Sequence, residues 1–93
     1  DSYLGYFWRA RTNSALDPET TQGLAKPYYE SVISLLASKN DARYNSVLVE
    51  CYSYLGYYCL VNNAVAQSKE FWNKILAIDP ANATAKKALE GIK

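Results

Sequence analysis

The sequence Ser53-Tyr54-Leu55-Gly56-Tyr57 also stands at residues 2–6 of this chain. Repetition within one sequence indicates an array of similar structural units. Both copies lie in stretches without proline, where leucine and aromatic residues recur at helical spacing. Glycine inside a helix costs about 1 kcal/mol relative to alanine. We therefore expect a neighbouring helix to come close at Gly5 and at Gly56.

The composition is that of one small globular domain. The chain has 93 residues, of which 49% are hydrophobic and 20% charged, with a net charge of +1. This balance gives no electrostatic reason to expect nucleic acid or an anionic membrane as a partner. No apolar stretch approaches the ~20 residues of a membrane span. Because the sequence begins at Asp1 within a helical pattern, we expect a piece of a longer protein, and its compartment stays open.

Hydrophobic periodicity predicts an all-α fold. The expected helices cover about 2–11, 20–37, 41–61, 64–78 and 83–92. Thr12–Ala15 is expected to be a polar linker. The third helix is apolar on most of its circumference, so it should lie at the centre of the fold. The fourth should turn Val65, Ser68, Trp72 and Ile75 inward.

Polar residues and prolines mark the expected helix ends. Asp17 should cap the second helix, and Pro27 should make its first turn irregular or kink it. Expected caps of the later helices are Asn40 or Asp41, Asn63 and Asn82. Asn82-Ala83-Thr84 also matches a glycosylation triplet, but a helix cap is the more frequent role of such an asparagine.

The second copy extends into a longer pattern. Its spacing is Tyr52-x2-Leu55-Gly56-x2-Cys59, then Ser68-x3-Trp72, then Pro80. This resembles the tetratricopeptide repeat, whose pattern is W-x2-L-G-x2-Y…A-x3-F…P over about 34 residues. The departures from the family pattern keep the size class of each site, apart from Cys59, which stands where the family has tyrosine.

The first copy resembles the same repeat less closely. Leu4 and Gly5 match, and Trp8 stands at the aromatic place, but Ala25-x3-Tyr29 fits only with about eight inserted residues. The resemblance implies one domain, 1–93: a first repeat at 1–37, a second at 41–82 and a capping helix at 83–93. The implied architecture is antiparallel helix–turn–helix units, two of them plus the capping helix, in a right-handed superhelix.

The sequence gives little support to a catalytic function. The chain has no histidine, its nine acidic residues are scattered, and no glycine-rich phosphate loop occurs. Cys51 and Cys59, on one helix and ~12 Å apart, are too distant for a disulfide. We expect Cys59 to be a small buried filler. No catalytic, metal or cofactor site is therefore predicted.

The resemblance implies a non-catalytic scaffold that holds a protein or peptide segment in a concave groove. The residues that would line the groove by resemblance are Ser2, Tyr6, Arg9, Ser53, Tyr57, Leu60 and Val61. Aromatic rings beside arginine are typical of interface hot spots. Alternatively, the third helix packs Tyr57 and Leu60 against the inserted segment.

Two other functions remain open from the sequence. A carbohydrate or another small ligand could stack on Tyr6, Trp8 and Tyr57, which requires the three rings to form one exposed flat patch. The chain could also form homo-oligomers through an uncovered N-terminal face.

Overall fold

The computed structural model describes residues 3–20, 22–39 and 41–92. This part of the chain contains helices and turns and no strand, which confirms the all-α prediction. The five α-helices are α1 (Tyr3–Leu16), α2 (Lys26–Leu36), α3 (Asn45–Val61), α4 (Val65–Ile78) and α5 (Ala83–Gly91). Short 3-10 turns, Ala37–Lys39 and Ala42–Tyr44, connect α2 to α3.

Helix α3 lies at the centre, as its apolar circumference predicts. It packs on α2 along one side and on α4 along the other, while α1 packs on α2 and α5 on α4. Six residues of α3 are buried: Leu48, Cys51, Tyr54, Leu55, Gly56 and Cys59. A tilted stack of Tyr29 and Tyr54, with ring centroids 4.8 Å apart, joins α2 to α3 in this core.

The close approach expected at Gly56 occurs where α3 meets α4. A Cβ atom added to Gly56 would lie 2.8 Å from Cε2 of Trp72. The Trp72 indole N–H donates to Ser68 Oγ at 2.9 Å, and the Ser68 hydroxyl donates to the Gly56 carbonyl at 2.7 Å. Ser68 thus gives the buried indole N–H an acceptor while tying α4 to the backbone of α3.

Gly5 does not have the packing role that its identical sequence predicts. A Cβ atom added there would meet nothing within 4 Å. Leu4 is 48% exposed, whereas Leu55, its counterpart in the second copy, is 2% exposed. The expectation of a close neighbour at Gly5 is therefore wrong, because no described element covers that side of α1.

Helix α1 continues through the segment predicted to be a linker. The Thr12 hydroxyl donates to the Trp8 carbonyl at 3.0 Å, and the Asn13 amide donates to the Arg9 carbonyl at 2.8 Å. Polar side chains that bond to the preceding turn are compatible with a helix, although composition alone suggests a loop. The predicted end at residue 11 is thus five residues too early.

The buried carboxylate of Asp17 organises the connection between α1 and α2. Its Oδ2 accepts hydrogen bonds from the backbone N–H groups of Gln22, at 3.1 Å, and Gly23, at 2.8 Å. Asp17 therefore stabilises the loop between α1 and α2 and does not cap α2. Helix α2 begins later than predicted, at Lys26, so Pro27 stands in its first turn, where a missing N–H costs little and no kink follows.

The predicted caps of the later helices are confirmed only in part. Asn82 caps α5 as predicted. Asp41 caps the 3-10 turn that precedes α3 and not α3 itself, which begins four residues later than predicted, at Asn45, with Tyr44 as its N-cap residue; Asn40 lies outside the described residues. Asn63 does not cap α4. Asn63 instead follows the end of α3 with a positive φ of 63°, and the Ala64 N–H donates to the Cys59 carbonyl. These two features form a Schellman motif at the C-terminus of α3. The first residue of α4, Val65, is 39% exposed and does not face inward.

Candidate functional site

A network of three polar side chains joins α1, α2 and α3. Arg11 donates to both carboxylate oxygens of Glu50, from Nη2 at 2.8 Å and from Nε at 3.0 Å. The Tyr29 hydroxyl donates to the same carboxylate at 2.9 Å. A two-pronged arginine–carboxylate pair fixes the orientation of both groups. The network therefore links α1 and α2 to α3 through side chains.

Glu50 and Tyr29 keep their protonation states near neutral pH. Burial alone would raise the pKa of Glu50, but hydrogen bonds from Arg11 and Tyr29 outweigh it and hold that pKa below its ordinary value. Burial, together with the hydrogen bond to Glu50, raises the pKa of Tyr29 far above its usual range. Glu50 is thus ionised and Tyr29 remains a neutral donor.

Arg11 also contacts two aromatic rings of α1. Its guanidinium lies 4.3 Å from the ring centroid of Phe7, which is buried, and 5.3 Å from that of Trp8. Trp8 is 60% exposed, and Leu4, one turn before it, is 48% exposed. These contacts place an exposed indole at the edge of the ion pair, where cation–π attraction restrains it.

The predicted residues of α3 share one face with Glu50. At about 100° per residue, Tyr57 and Val61 lie within about 20° of Glu50 around the helix, and Ser53 and Leu60 within about 80°. Tyr57 is 50% exposed and Val61 38%. We call the surface formed by Leu4, Trp8, Arg11, Glu50, Ser53, Tyr57, Leu60 and Val61 the α1–α3 face.

The predicted residues of α1 are not brought to this face. Tyr6 and Arg9 are exposed, but they lie about 140° and 160° around α1 from Arg11, the residue that contacts α3. Ser2 is outside the described residues. The sequence prediction took its register on α1 from the repeated pentapeptide and therefore did not include Trp8 and Arg11; which residues bind a partner stays a prediction. The spacing Leu4-Trp8-Arg11-Ala15 was the available signal, beside the buried stripe of Phe7 and Ala10.

The cysteines provide no reactive site. Cys51 and Cys59 are both free and buried, which confirms Cys59 as a core filler. Burial raises the pKa of Cys51 to about 12 and also raises that of Cys59. Both thiols therefore stay protonated at neutral pH, and a protonated thiol is a poor nucleophile.

Two depressions of about 390 Å³ each lie on another side of the domain, between α2 and α4. They share Glu30 and Phe71 as lining residues, and Lys26 at one end forms an ion pair with Glu30 at 3.0 Å. In the part of the chain that the structure describes, no group of three or more His, Cys, Asp or Glu residues could hold a metal ion. None of the described helices is long and apolar enough to span a membrane.

The fold and the α1–α3 face define an all-α helical-repeat domain with an exposed apolar surface around one ion pair. No protein-family model and no curated protein matches the chain. A crystal structure of the C-terminal part of a TPR repeat-containing protein from Cytophaga hutchinsonii is similar, with 46% sequence identity and a TM-score of 0.89. The match covers 94% of this chain and 33% of the solved chain. This match confirms the predicted resemblance to the tetratricopeptide-repeat family.

Proposed function

We propose that this domain is a non-catalytic scaffold that binds a segment of a partner protein on the α1–α3 face. One observation carries the proposal: Trp8 on α1 and Tyr57 on α3 are 60% and 50% exposed, and the Arg11–Glu50 ion pair joins these two helices. Large aromatic side chains beside arginine are over-represented at protein interfaces. Tetratricopeptide arrays typically mediate interactions between proteins, which agrees with this use of the surface.

The geometry supports a revised set of binding residues. We keep Ser53, Tyr57, Leu60 and Val61 from α3, because they share one face with Glu50. From α1 the Arg11 contact supports Leu4, Trp8 and Arg11 in place of Tyr6 and Arg9. The side chain of Arg11 is held by Glu50, so it needs little further ordering when a partner binds.

A flat carbohydrate platform is less well supported. Tyr6 and Trp8 are two residues apart on α1, so they point about 160° away from each other around the helix. Tyr6, Trp8 and Tyr57 therefore do not form one patch, which was the requirement for stacking a sugar ring on all three.

The test is to select peptides from a random display library on the immobilised domain and measure each binder by calorimetry. We expect Trp8→Ala and Tyr57→Ala to weaken binding at least about thirtyfold, the loss typical of a hot spot. Thermal melting of both variants should stay near that of the parent, because the two side chains are exposed. Sedimentation of the parent domain and of Trp8→Ala shows whether the domain self-associates and whether Trp8 takes part in that contact.

Tyr6→Ala is the matched control, since Tyr6 is a 40% exposed aromatic residue of α1 outside the face. Binding should survive this change. If Tyr6→Ala abolishes binding and Trp8→Ala does not, the residue set taken from the sequence is right and ours is wrong. A library that yields no binder on this face contradicts the scaffold proposal.

A further inference from the structure

We infer that the segment bound by the α1–α3 face is uncharged and proline-rich, in the extended polyproline conformation. This inference rests on the proposed function and names the chemistry of the partner. It follows from three properties of the face: its compensated charge, its N–H donors that require acceptors and its exposed flat rings.

The charge of the face is already compensated. Arg11 and Glu50 are its charged residues, and their guanidinium and carboxylate groups are 2.8 Å apart. A carboxylate on the partner would approach Arg11 but would be repelled by Glu50 at nearly the same distance. An acidic segment should therefore bind with nearly the same affinity as a neutral one, and salt should have little effect on that affinity.

The nitrogen groups of the face leave hydrogen-bond donors without an acceptor in the described part of the chain. An arginine has five N–H donors, and Arg11 uses two of them on Glu50. Glu50 accepts three hydrogen bonds, two from Arg11 and one from Tyr29, which leaves little acceptor capacity. Within the described ranges, the Trp8 indole N–H and the Tyr57 hydroxyl form no side-chain hydrogen bond. The hydroxyls of Ser53 and Tyr57 can donate or accept, so they suit either kind of partner group, whereas the N–H groups of Arg11 and Trp8 require acceptors. The complementary partner thus offers acceptors.

A proline-rich segment has these properties. Proline lacks a backbone N–H, so each proline presents a carbonyl acceptor without a donor that must also be satisfied. Its ring packs flat against aromatic side chains such as Trp8 and Tyr57. The polyproline helix is largely formed before binding and has no internal hydrogen bonds, so its carbonyls are available and little ordering entropy is lost.

The experiment compares three capped synthetic peptides of about ten residues: an oligoproline, a mixed proline–glutamate peptide and an amphipathic helical peptide. Each is titrated into the 93-residue domain by calorimetry and by tryptophan fluorescence. Trp72 is 4% exposed and Trp8 60%, so a change in emission on binding reports mainly on Trp8. We expect saturable binding of the oligoproline, with a blue shift and less than about a twofold change in affinity between low and high salt.

Variants then test the two parts of the argument. Trp8→Ala should weaken oligoproline binding at least about thirtyfold, whereas Tyr6→Ala should leave it unchanged. Glu50→Gln removes the compensating charge from Arg11, so this variant should gain salt-sensitive affinity for the proline–glutamate peptide. Melting curves establish that each variant remains folded.

The outcomes separate this inference from the scaffold proposal. If the parent domain prefers the acidic or the helical peptide, and Trp8→Ala weakens that binding, the inference is overturned and the scaffold stands. The same holds if library-selected binders on this face lack proline and the oligoproline does not bind. If no synthetic or library peptide binds the face, both the inference and the scaffold proposal fail.

Discussion

Gly56→Ala is the substitution for which the structure makes the sharpest prediction. The added Cβ would stand 2.8 Å from Trp72 Cε2 and 3.0 Å from Cζ2, closer than such atoms pack. The indole is 4% exposed and bonded to Ser68, which is itself bonded to the Gly56 carbonyl. The ring therefore has little room to retreat without breaking a buried hydrogen bond.

The expected loss follows from three contributions. Alanine gains about 1 kcal/mol over glycine in a helix interior. Overpacking a rigid site costs about 1–3 kcal/mol, and losing one of the two hydrogen bonds costs about 1 kcal/mol more. The net destabilisation is about 2 kcal/mol, which for a domain of this size lowers the melting temperature by about 8–16 °C. Gly56→Leu should be more severe and unfold the domain.

Gly5→Ala supplies a control within the same pentapeptide. Nothing lies within 4 Å of the added Cβ at Gly5, so only the gain in helix propensity remains. Its melting temperature should rise, by an amount worth up to about 1 kcal/mol. Thermal unfolding followed by circular dichroism compares the two variants with the parent. Equal shifts of the same sign at Gly5 and Gly56 would refute the account of the α3–α4 crossing.

Three further predictions concern buried or paired polar groups. Ser68→Ala should destabilise the domain by about 1–3 kcal/mol, because it leaves the Trp72 indole N–H without its acceptor. In a Trp72→Phe background the same change should cost less, which a double-mutant cycle in denaturant measures; equal losses in both backgrounds would contradict the pairing. Asp17→Ala should lower the stability by a similar amount, because it leaves the loop N–H groups without an acceptor. Asp17→Asn should recover part of that stability. A melting temperature equal to that of the parent for Asp17→Ala would exclude this role. The pKa of Glu50 is lowered by folding, so the stability it contributes is present above its unfolded pKa of about 4.3 and is lost as the pH falls further. The stability difference between the parent and Glu50→Gln should therefore shrink below about pH 4.5, and a difference independent of pH would disprove the linkage.

The α1–α3 face shows what helical spacing predicts and what it does not. The grouping of Ser53 and Tyr57 on one side of α3 follows from helical spacing, which is a local property. The choice of Tyr6 and Arg9 on α1 assumed that both copies of the pentapeptide face the same neighbours. The Arg11–Glu50 contact joins residues 39 positions apart and places Trp8 and Arg11 beside α3 instead. Such a contact depends on how two helices are positioned, which the spacing within either one does not specify.

The polar residues near helix ends were also predicted only in part. The sequence identified Asp17, Asn63 and Asn82 as residues that bond to the backbone near helix ends, because short polar side chains do so readily. Asn82 caps the helix that follows it, as predicted. Asp17 and Asn63 serve the end of the preceding helix or the loop, because the surrounding backbone decides which N–H groups lie within reach.

By itself the sequence determined that this protein is all-α, that α3 is central and that a neighbouring helix comes close at Gly56. These features depend on periodicity and residue size, which are carried by each segment alone. Tertiary structure decided that Leu55 and Gly56 are buried in α3 while their counterparts, Leu4 and Gly5, are exposed on α1. A helix with apolar residues on several sides can bury any of them, and the face that becomes covered is set by the helices that pack beside it.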